Sequence, residues 1–199
     1  LHAFRTDCAA DGGTCEPLWR GWTGGAVRSS PAVSNGLVYV GSLDGKVHGF
    51  ATGCGEGSGI CQAIWRGDAG APIQSSPVVA DGYVVVGVND GSVQAFPTAC
   101  ADRTVGCSPT WKAQTGGAVR SSPAVTGTGA PGGPMVYVGS DDGFLYGYPL
   151  RCRPAGNPRL CAPVWASGTS APITASPAIV DGAVYVSSED GTVRRWSLP

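Results

Sequence analysis

The sequence predicts an all-β fold, a β-propeller of four-stranded antiparallel blades, and three observations lead to it. A segment that first appears at Gly24–Phe50 recurs three more times with drift, and its first ten residues return unchanged at Gly116–Val125. No long helical periodicity occurs, and 32 Gly with 16 Pro would interrupt a helix. Four short strands in a repeat of about 40–50 residues are typical of a propeller blade, which packs against its neighbours.

Three markers fix the period of the repeat. They are Ser-Pro steps at Ser30-Pro31, Ser76-Pro77, Ser122-Pro123 and Ser176-Pro177, Asp-Gly steps at Asp44-Gly45, Asp90-Gly91, Asp142-Gly143 and Asp190-Gly191, and tryptophans at Trp19, Trp65, Trp111 and Trp165. The third unit carries an insertion at Thr126–Pro134. One tryptophan at the same place in every unit indicates packing between blades, so these four are predicted to be structural.

Each unit is read as four strands in chain order. The first strand is predicted at Ala26–Val33 and its equivalents. The second is a β-branched and aromatic run, predicted at Leu37–Val40, Tyr83–Val86, Met135–Val138 and Ala183–Val186. Asn35-Gly36, Asp81-Gly82 and Asp181-Gly182 precede it as hairpin signals. The third strand has four successive residues that are apolar, variable, small and aromatic, and the fourth strand contains the tryptophan.

The predicted blades cover residues 1–22 (third and fourth strands only), 24–67, 70–113, 116–167 and 170–199 (first three strands). Third strands therefore occur five times and the others four times. Half of a seven- or eight-bladed propeller, completed by another segment or subunit, explains this count better than a closed four-bladed ring that displaces Leu1–Phe4. In the third strand, Arg195 replaces the Gly or Ala of the other units. It marks either a less crowded end or sequence drift with the side chain in solvent.

The motifs SSPAV and VYVGS-x-DG-x-(V/L), followed by a Trp strand, resemble the pyrroloquinoline-quinone-type (PQQ-like) β-propeller family over essentially the whole chain. That family includes quinone-dependent alcohol dehydrogenases. It also includes non-enzymatic propellers, such as the lipoprotein of the outer-membrane barrel-assembly machinery. The adjacent Cys-Cys pair of the quinone enzymes is absent from this sequence. The resemblance therefore implies the non-enzymatic branch, and no catalytic residue, cofactor or metal ligand is carried over.

Eight cysteines form four local pairs, each in the loop between a third and a fourth strand. The predicted disulfides are Cys8–Cys15, Cys54–Cys61, Cys100–Cys107 and Cys152–Cys161. Zinc is the weaker alternative, because it prefers closer cysteine pairs or histidine partners and the chain has two His. Disulfides predict an extracytoplasmic location: secreted, cell-surface or periplasmic.

Charge and composition exclude some partners. With 14% charged residues and a net charge of −1, nothing favours nucleic acid. No apolar run is long enough to span a membrane. The Asp of each Asp-Gly step is explained by turn chemistry. Ser29, Ser75 and Ser121 are expected to satisfy backbone groups, and His48 is expected to face solvent at a variable position.

The candidate ligand-binding residues are those before the Ser-Ser or Ala-Ser step, where innermost strands line a propeller channel: Arg28, Gln74, Arg120 and Thr174. Two arginines in alternate blades would suit a carboxylate or sulfate, although bonds to neighbouring loops explain them as well. The loop Thr126–Pro134 is a second candidate contact.

The sequence predicts a non-enzymatic binding or scaffolding module for a protein or glycan partner. One alternative is a fragment of a quinone-dependent dehydrogenase or quinone-binding sensor. The other is a structural repeat that assembles head-to-tail through incomplete terminal blades.

Overall fold

The computed structural model describes residues 1–8, 13–54, 59–100, 106–127, 129, 132–153 and 160–198, and the described residues are all-β. The strands are β1 His2–Ala3, β2 Trp19–Gly21, β3 Ala32–Ser34, β4 Leu37–Gly41, β5 Lys46–Ala51, β6 Ile60–Cys61, β7 Trp65–Asp68, β8 Val78–Ala80, β9 Tyr83–Gly87, β10 Ser92–Pro97, β11 Trp111–Gln114, β12 Ala124–Val125, β13 Met135–Gly139, β14 Phe144–Pro149, β15 Leu160–Cys161, β16 Trp165–Gly168, β17 Ala178–Val180, β18 Ala183–Ser187 and β19 Val193–Ser197.

These strands form five sheets, numbered here in chain order. The first is β1-β2-β6, the second β3-β4-β5-β7, the third β8-β9-β10-β11 with β15 added, the fourth β12-β13-β14-β16 and the fifth β17-β18-β19. Strands β3, β8, β12 and β17 contact one another in that order, so the sheets stand side by side. Among the described residues the row of sheets does not close into a ring.

Three of the four hairpins between first and second strands turn on a pair of residues with positive φ. Asn35, Asp81 and Asp181 have φ of 48°, 50° and 47°, and a glycine with positive φ follows each one. Such a pair makes the two-residue turn whose twist matches the flanking strands. In the Asp-Gly turns, by contrast, the glycine takes the positive φ, and the Asp carboxylate accepts a bond from the backbone N–H two residues later.

The predicted first strand is shorter in the structure than in the sequence analysis. It begins at Ala32, after Pro31, and not at Ala26. Before the proline, the Ser29 hydroxyl takes the place of a backbone hydrogen-bonding partner for the second strand. It donates to the Gly41 carbonyl (3.0 Å) and accepts from the Gly41 N–H (2.9 Å). Ser75 makes the same two bonds to Gly87. The expectation that these serines satisfy backbone groups is confirmed.

The core lies between the sheets, and the repeated tryptophan ties each sheet to the next. We call the face of a sheet towards the preceding sheet its leading face, and the opposite one its trailing face. Trp111 is buried on the trailing face of the third sheet and packs on Tyr148 of the fourth. Equivalent ring contacts join Trp19 to Phe50, Trp65 to Phe96 and Trp165 to Trp196. Three of these indoles donate to a backbone carbonyl of the next sheet, Trp19 to Thr52, Trp65 to Pro97 and Trp111 to Leu150.

All four predicted disulfides are present in the structure. We call each disulfide-closed loop a clip. At its second cysteine, each of the last three clips reaches back to the preceding sheet and pairs in parallel with the outermost strand there. β6 pairs with β2, β15 with β11, and Cys107 bridges to Gly67 of β7. The disulfides therefore hold neighbouring sheets together as well as closing loops.

Candidate functional site

The four predicted channel residues lie four residues before the first strands β3, β8, β12 and β17, and they do not act as one set. Arg120 is neutralised by Asp141, with Nη1 and Oδ2 2.9 Å apart. Thr174 donates to Glu189 at 3.1 Å. In the second sheet Leu43 takes the place of these acids, and Arg28 is exposed with no carboxylate of the described residues in ion-pair range. Ligand binding by Arg28, Gln74, Arg120 and Thr174 stays a prediction. Of the two arginines, Arg28 is the one without an ion pair among the described residues.

A serine ladder runs beside these residues from sheet to sheet. The Ser30 N–H donates to the Ser76 hydroxyl at 2.8 Å, Ser76 N–H to Ser122 at 2.8 Å, and Ser122 N–H to Ser176 at 3.0 Å. The second serine of each step thus joins neighbouring first strands where proline removes a backbone donor. This is a structural role for the Ser-Pro motif.

His48 occupies the variable position of the third strand, and the prediction that it faces solvent is wrong. His48 is buried, and its Nε2 lies 2.8 Å from Asp44 Oδ2. The same carboxylate accepts from the Gly24 N–H at 2.8 Å, so it joins the third strand to the segment entering the sheet. Tyr146 and Arg194 bond to Asp142 and Asp190 in the same way. In these three units a polar side chain four residues after the turn aspartate therefore completes a partly buried network.

Burial lowers the pKa of His48, against the opposing effect of the Asp44 carboxylate. The native state then binds fewer protons than the unfolded chain, so stability is present above the unfolded pKa of about 6.5 and is lost as the pH falls below it. We expect His48→Gln to remove this loss, because buried Gln94 occupies the same position without titrating. Urea unfolding of both proteins at two pH values, one on either side of that pKa, measures how much unfolding free energy each loses. Equal pH dependence in both proteins would contradict the assignment.

The outer strand of the first sheet carries a feature that sequence reasoning missed. Leu18, Arg20 and Trp22 are exposed and alternate with buried Trp19 and Gly21, so they occupy the leading face. Trp22 is 68% exposed, and Ile60 of the neighbouring clip is exposed beside Arg20. We call Leu18, Arg20, Trp22 and Ile60 the Trp22 face.

Two open grooves flank Trp22. One, of about 320 Å³, is lined by Glu16, Pro17, Arg20, Gly59 and Ile60 as well as Trp22. The other, of about 440 Å³, is lined by Trp22 together with Leu1, Gly21, Thr23, Gly24, Gly25 and Val27. A signal for this site exists in the sequence, since the equivalents of Trp22 are Asp68, Gln114 and Gly168.

Exposure of Trp22 does not depend on what precedes the first sheet. Its equivalents Asp68 and Gln114 are exposed although their sheets have a preceding neighbour. The repeat therefore presents this position to solvent in the second and third sheets as well, and only the first of the four units places a large aromatic ring there. Large exposed apolar groups beside charged ones are typical of interaction sites.

Other kinds of site are not formed by the described residues. No three of their His, Cys, Asp or Glu side chains are grouped so as to hold a metal ion. None of them belongs to a helix long and apolar enough to cross a membrane. The inserted loop Thr126–Pro134 lies partly outside the described residues.

The repeated sheets, tryptophan contacts and clips define a propeller-type repeat protein. The family model described as outer membrane protein assembly factor BamB matches residues 8–151, about three quarters of the chain. The chain therefore belongs to this family of PQQ-like repeats, which confirms the resemblance seen in the sequence.

Solved structures of similar fold include two designed proteins and one natural one. The computationally designed Ika4 protein has a TM-score of 0.67 at 18% identity, covering 89% of this chain and 94% of Ika4. The designed Ika8 protein gives 0.66 at 19% identity, over 94% of this chain and 50% of Ika8. BamB from Moraxella catarrhalis gives 0.67 at 15% identity, over 92% of this chain and 50% of BamB. The chain thus spans about half the length of Ika8 and BamB. No curated protein matches the chain.

Proposed function

We propose that this chain is a non-catalytic, extracytoplasmic propeller module that binds a protein partner through the Trp22 face. The observation that carries the proposal is Trp22 itself. Its side chain is 68% exposed, lines two grooves and occupies a position where the other units hold Asp, Gln or Gly. The repeated tryptophans pack between sheets, whereas Trp22 packs into no core of the described residues.

The chemistry of the face favours a protein over a glycan. Trp and Arg are enriched among the residues that dominate protein interfaces, particularly when apolar groups surround them. Leu18 and Ile60 supply such groups next to Arg20. The matching family is described as an assembly factor for outer membrane proteins, which also supports a protein partner. Four disulfides support an oxidising compartment outside the cytoplasm.

A photo-crosslinking amino acid tests the site directly. With p-benzoylphenylalanine at position 22, we expect covalent capture of one protein species from the cell-envelope fraction of the producing organism. The matched control places the same group at Ile64, which is exposed on the outer part of the second sheet. Equal capture from both positions, or binding of the labelled protein to a glycan array without any protein capture, would overturn the proposal.

The proposed absence of catalysis has its own test. We expect no new absorbance band and no alcohol-dependent dye reduction when the oxidised protein is mixed with pyrroloquinoline quinone and calcium. A saturable spectral change would favour the quinone-binding alternative instead.

A further inference from the structure

A row of side chains crosses the sheets beside the serine ladder. Each of the second to fifth sheets contributes a pair, made of the residue two places before the ladder serine and the residue before the turn aspartate. The pairs are Arg28 with Leu43, Gln74 with Asn89, Arg120 with Asp141, and Thr174 with Glu189. Two of these pairs close within their own sheet, at 2.9 Å for Arg120 and Asp141 and 3.1 Å for Thr174 and Glu189. The paired positions are therefore also within reach of each other in the second and third sheets.

The polar side chains of this row that remain unpaired lie in the second and third sheets. Leu43 offers Arg28 no acceptor, and the Arg28 guanidinium makes no hydrogen bond or ion pair with any described residue. The same holds for the amides of Gln74 and Asn89, and Asn89 Oδ1 is buried without a partner. Because a buried amide atom without a partner costs free energy and stabilises no sheet, its presence favours a polar ligand.

Arg28 and Gln74 lie side by side on neighbouring sheets. Each precedes a ladder serine by two residues, and the Ser30 N–H donates to the Ser76 hydroxyl at 2.8 Å. The ladder therefore holds the two segments at the same level, and the partner position within each sheet adds one more residue. The surface that results, here called the Arg28 site, consists of Arg28, Leu43, Gln74 and Asn89.

The unpaired state of Arg28 does not depend on what precedes the first sheet. Arg120 occupies the equivalent position in the middle of the row, with a sheet on either side, and its side chain is still 47% exposed. The acid that neutralises Arg120 comes from its own sheet, at Asp141. The equivalent residue of the second sheet is Leu43, so the free guanidinium follows from the sequence of that sheet itself.

We propose that the Arg28 site binds a carboxylate group. The planar guanidinium fork donates two parallel hydrogen bonds to the two carboxylate oxygens, and the amides of Gln74 and Asn89 add donors from the third sheet. Arg28 is the single uncompensated cation of the row, because Asp141 neutralises Arg120. One positive charge matches a carboxylate better than a sulfate dianion. Leu43 supplies an apolar contact for the alkyl part of the ligand.

Nuclear magnetic resonance of the isotope-labelled, oxidised full chain tests the site, with butyrate as the probe. We expect saturable shifts of the Arg28 Nε–H signal and of the side-chain amide signals of Gln74 and Asn89, all with one dissociation constant. Butyramide, a neutral molecule of the same shape, should shift none of them. A tripeptide with a free C-terminal carboxylate distinguishes the source of the group. Tighter binding than butyrate assigns the site to the end of a peptide chain, and weaker binding assigns it to a free small acid.

Two substitutions at Leu43 provide a matched pair. Leu43→Asp gives Arg28 the internal partner that Arg120 has in Asp141, so the affinity for butyrate should fall by about tenfold or more. Leu43→Asn introduces a side chain of the same size without the charge and should keep most of the affinity. Both variants are expected to fold, because Asp141 and Asn89 occupy the equivalent position in other sheets.

The inference is overturned by shifts that rise without saturation, by equal responses to butyrate and butyramide, or by equal affinities of the two Leu43 variants. Sulfate binding tighter than that of butyrate would overturn the choice of a carboxylate. The outcomes are separate from the proposed function, because first strands lie at the opposite edge of a sheet from the fourth strand that carries Trp22. Capture of a protein from position 22 therefore neither requires nor excludes the Arg28 site.

Discussion

Replacing Trp111 with alanine is expected to lower the free energy of unfolding by about 3–5 kcal/mol, a large share of the stability of a domain this size. The indole is 1% exposed and belongs to the cluster that joins the third and fourth sheets. Its removal leaves a cavity between two sheets that cannot easily collapse, because each is held by its own strand ladder. It also leaves the Leu150 carbonyl, which accepts the indole N–H at 2.8 Å, without that partner in a buried site.

Urea unfolding of the oxidised protein, followed by circular dichroism, measures this loss. Two tryptophans provide matched controls. Trp22→Ala, at the exposed site, should change the unfolding free energy by no more than about 0.5 kcal/mol. Trp165→Ala should give an intermediate loss, because Trp165 is half-buried against Trp196 of the fifth sheet. If the three substitutions cost the same, the repeated tryptophan does not carry the packing between sheets.

The repeat made most of the fold predictable. Turn glycines, β-branched second strands and one tryptophan per unit each satisfy a local requirement of a stacked sheet, so their recurrence predicts the strands and the ring contacts together. The start of the first strand was not predictable in this way. A serine hydroxyl replaces the backbone ladder at Ser29, and no strand pattern shows that substitution. The parallel pairing of β6 with β2 also depends on where the clip lies in three dimensions.

The candidate site was less predictable, because its residues are exceptions to the repeat. Alignment of units draws attention to what recurs, and Trp22 stands out only when its position is compared with Asp68 and Gln114. The sequence pattern predicts His48 in solvent because variable positions usually are exposed. Here variation is tolerated because several side chains can reach the same turn aspartate, as Tyr146 and Arg194 do. Arg120 could not be known to face Asp141 without the fold.

Removing the Cys54–Cys61 disulfide by paired alanine substitution is expected to lower the free energy of unfolding by more than the loop-closure contribution, which is about 2–3 kcal/mol on the chain-entropy model. The excess arises because this clip also pairs with the preceding sheet. Cys61 is 1% exposed, and the Arg20 N–H donates to the Gly59 carbonyl at 2.7 Å. Freeing the loop therefore loosens the outer edge of the first sheet.

The Cys8–Cys15 pair provides the matched control, since both disulfides join cysteines seven residues apart. Cys15 is only half-buried, and no preceding sheet is present among the described residues for its clip to pair with. Its removal should cost the loop-closure part alone. Urea unfolding gives the two losses, and hydrogen exchange at Arg20 should accelerate only in the Cys54/Cys61 variant. Equal losses with unchanged exchange would mean that the clips close loops without joining sheets.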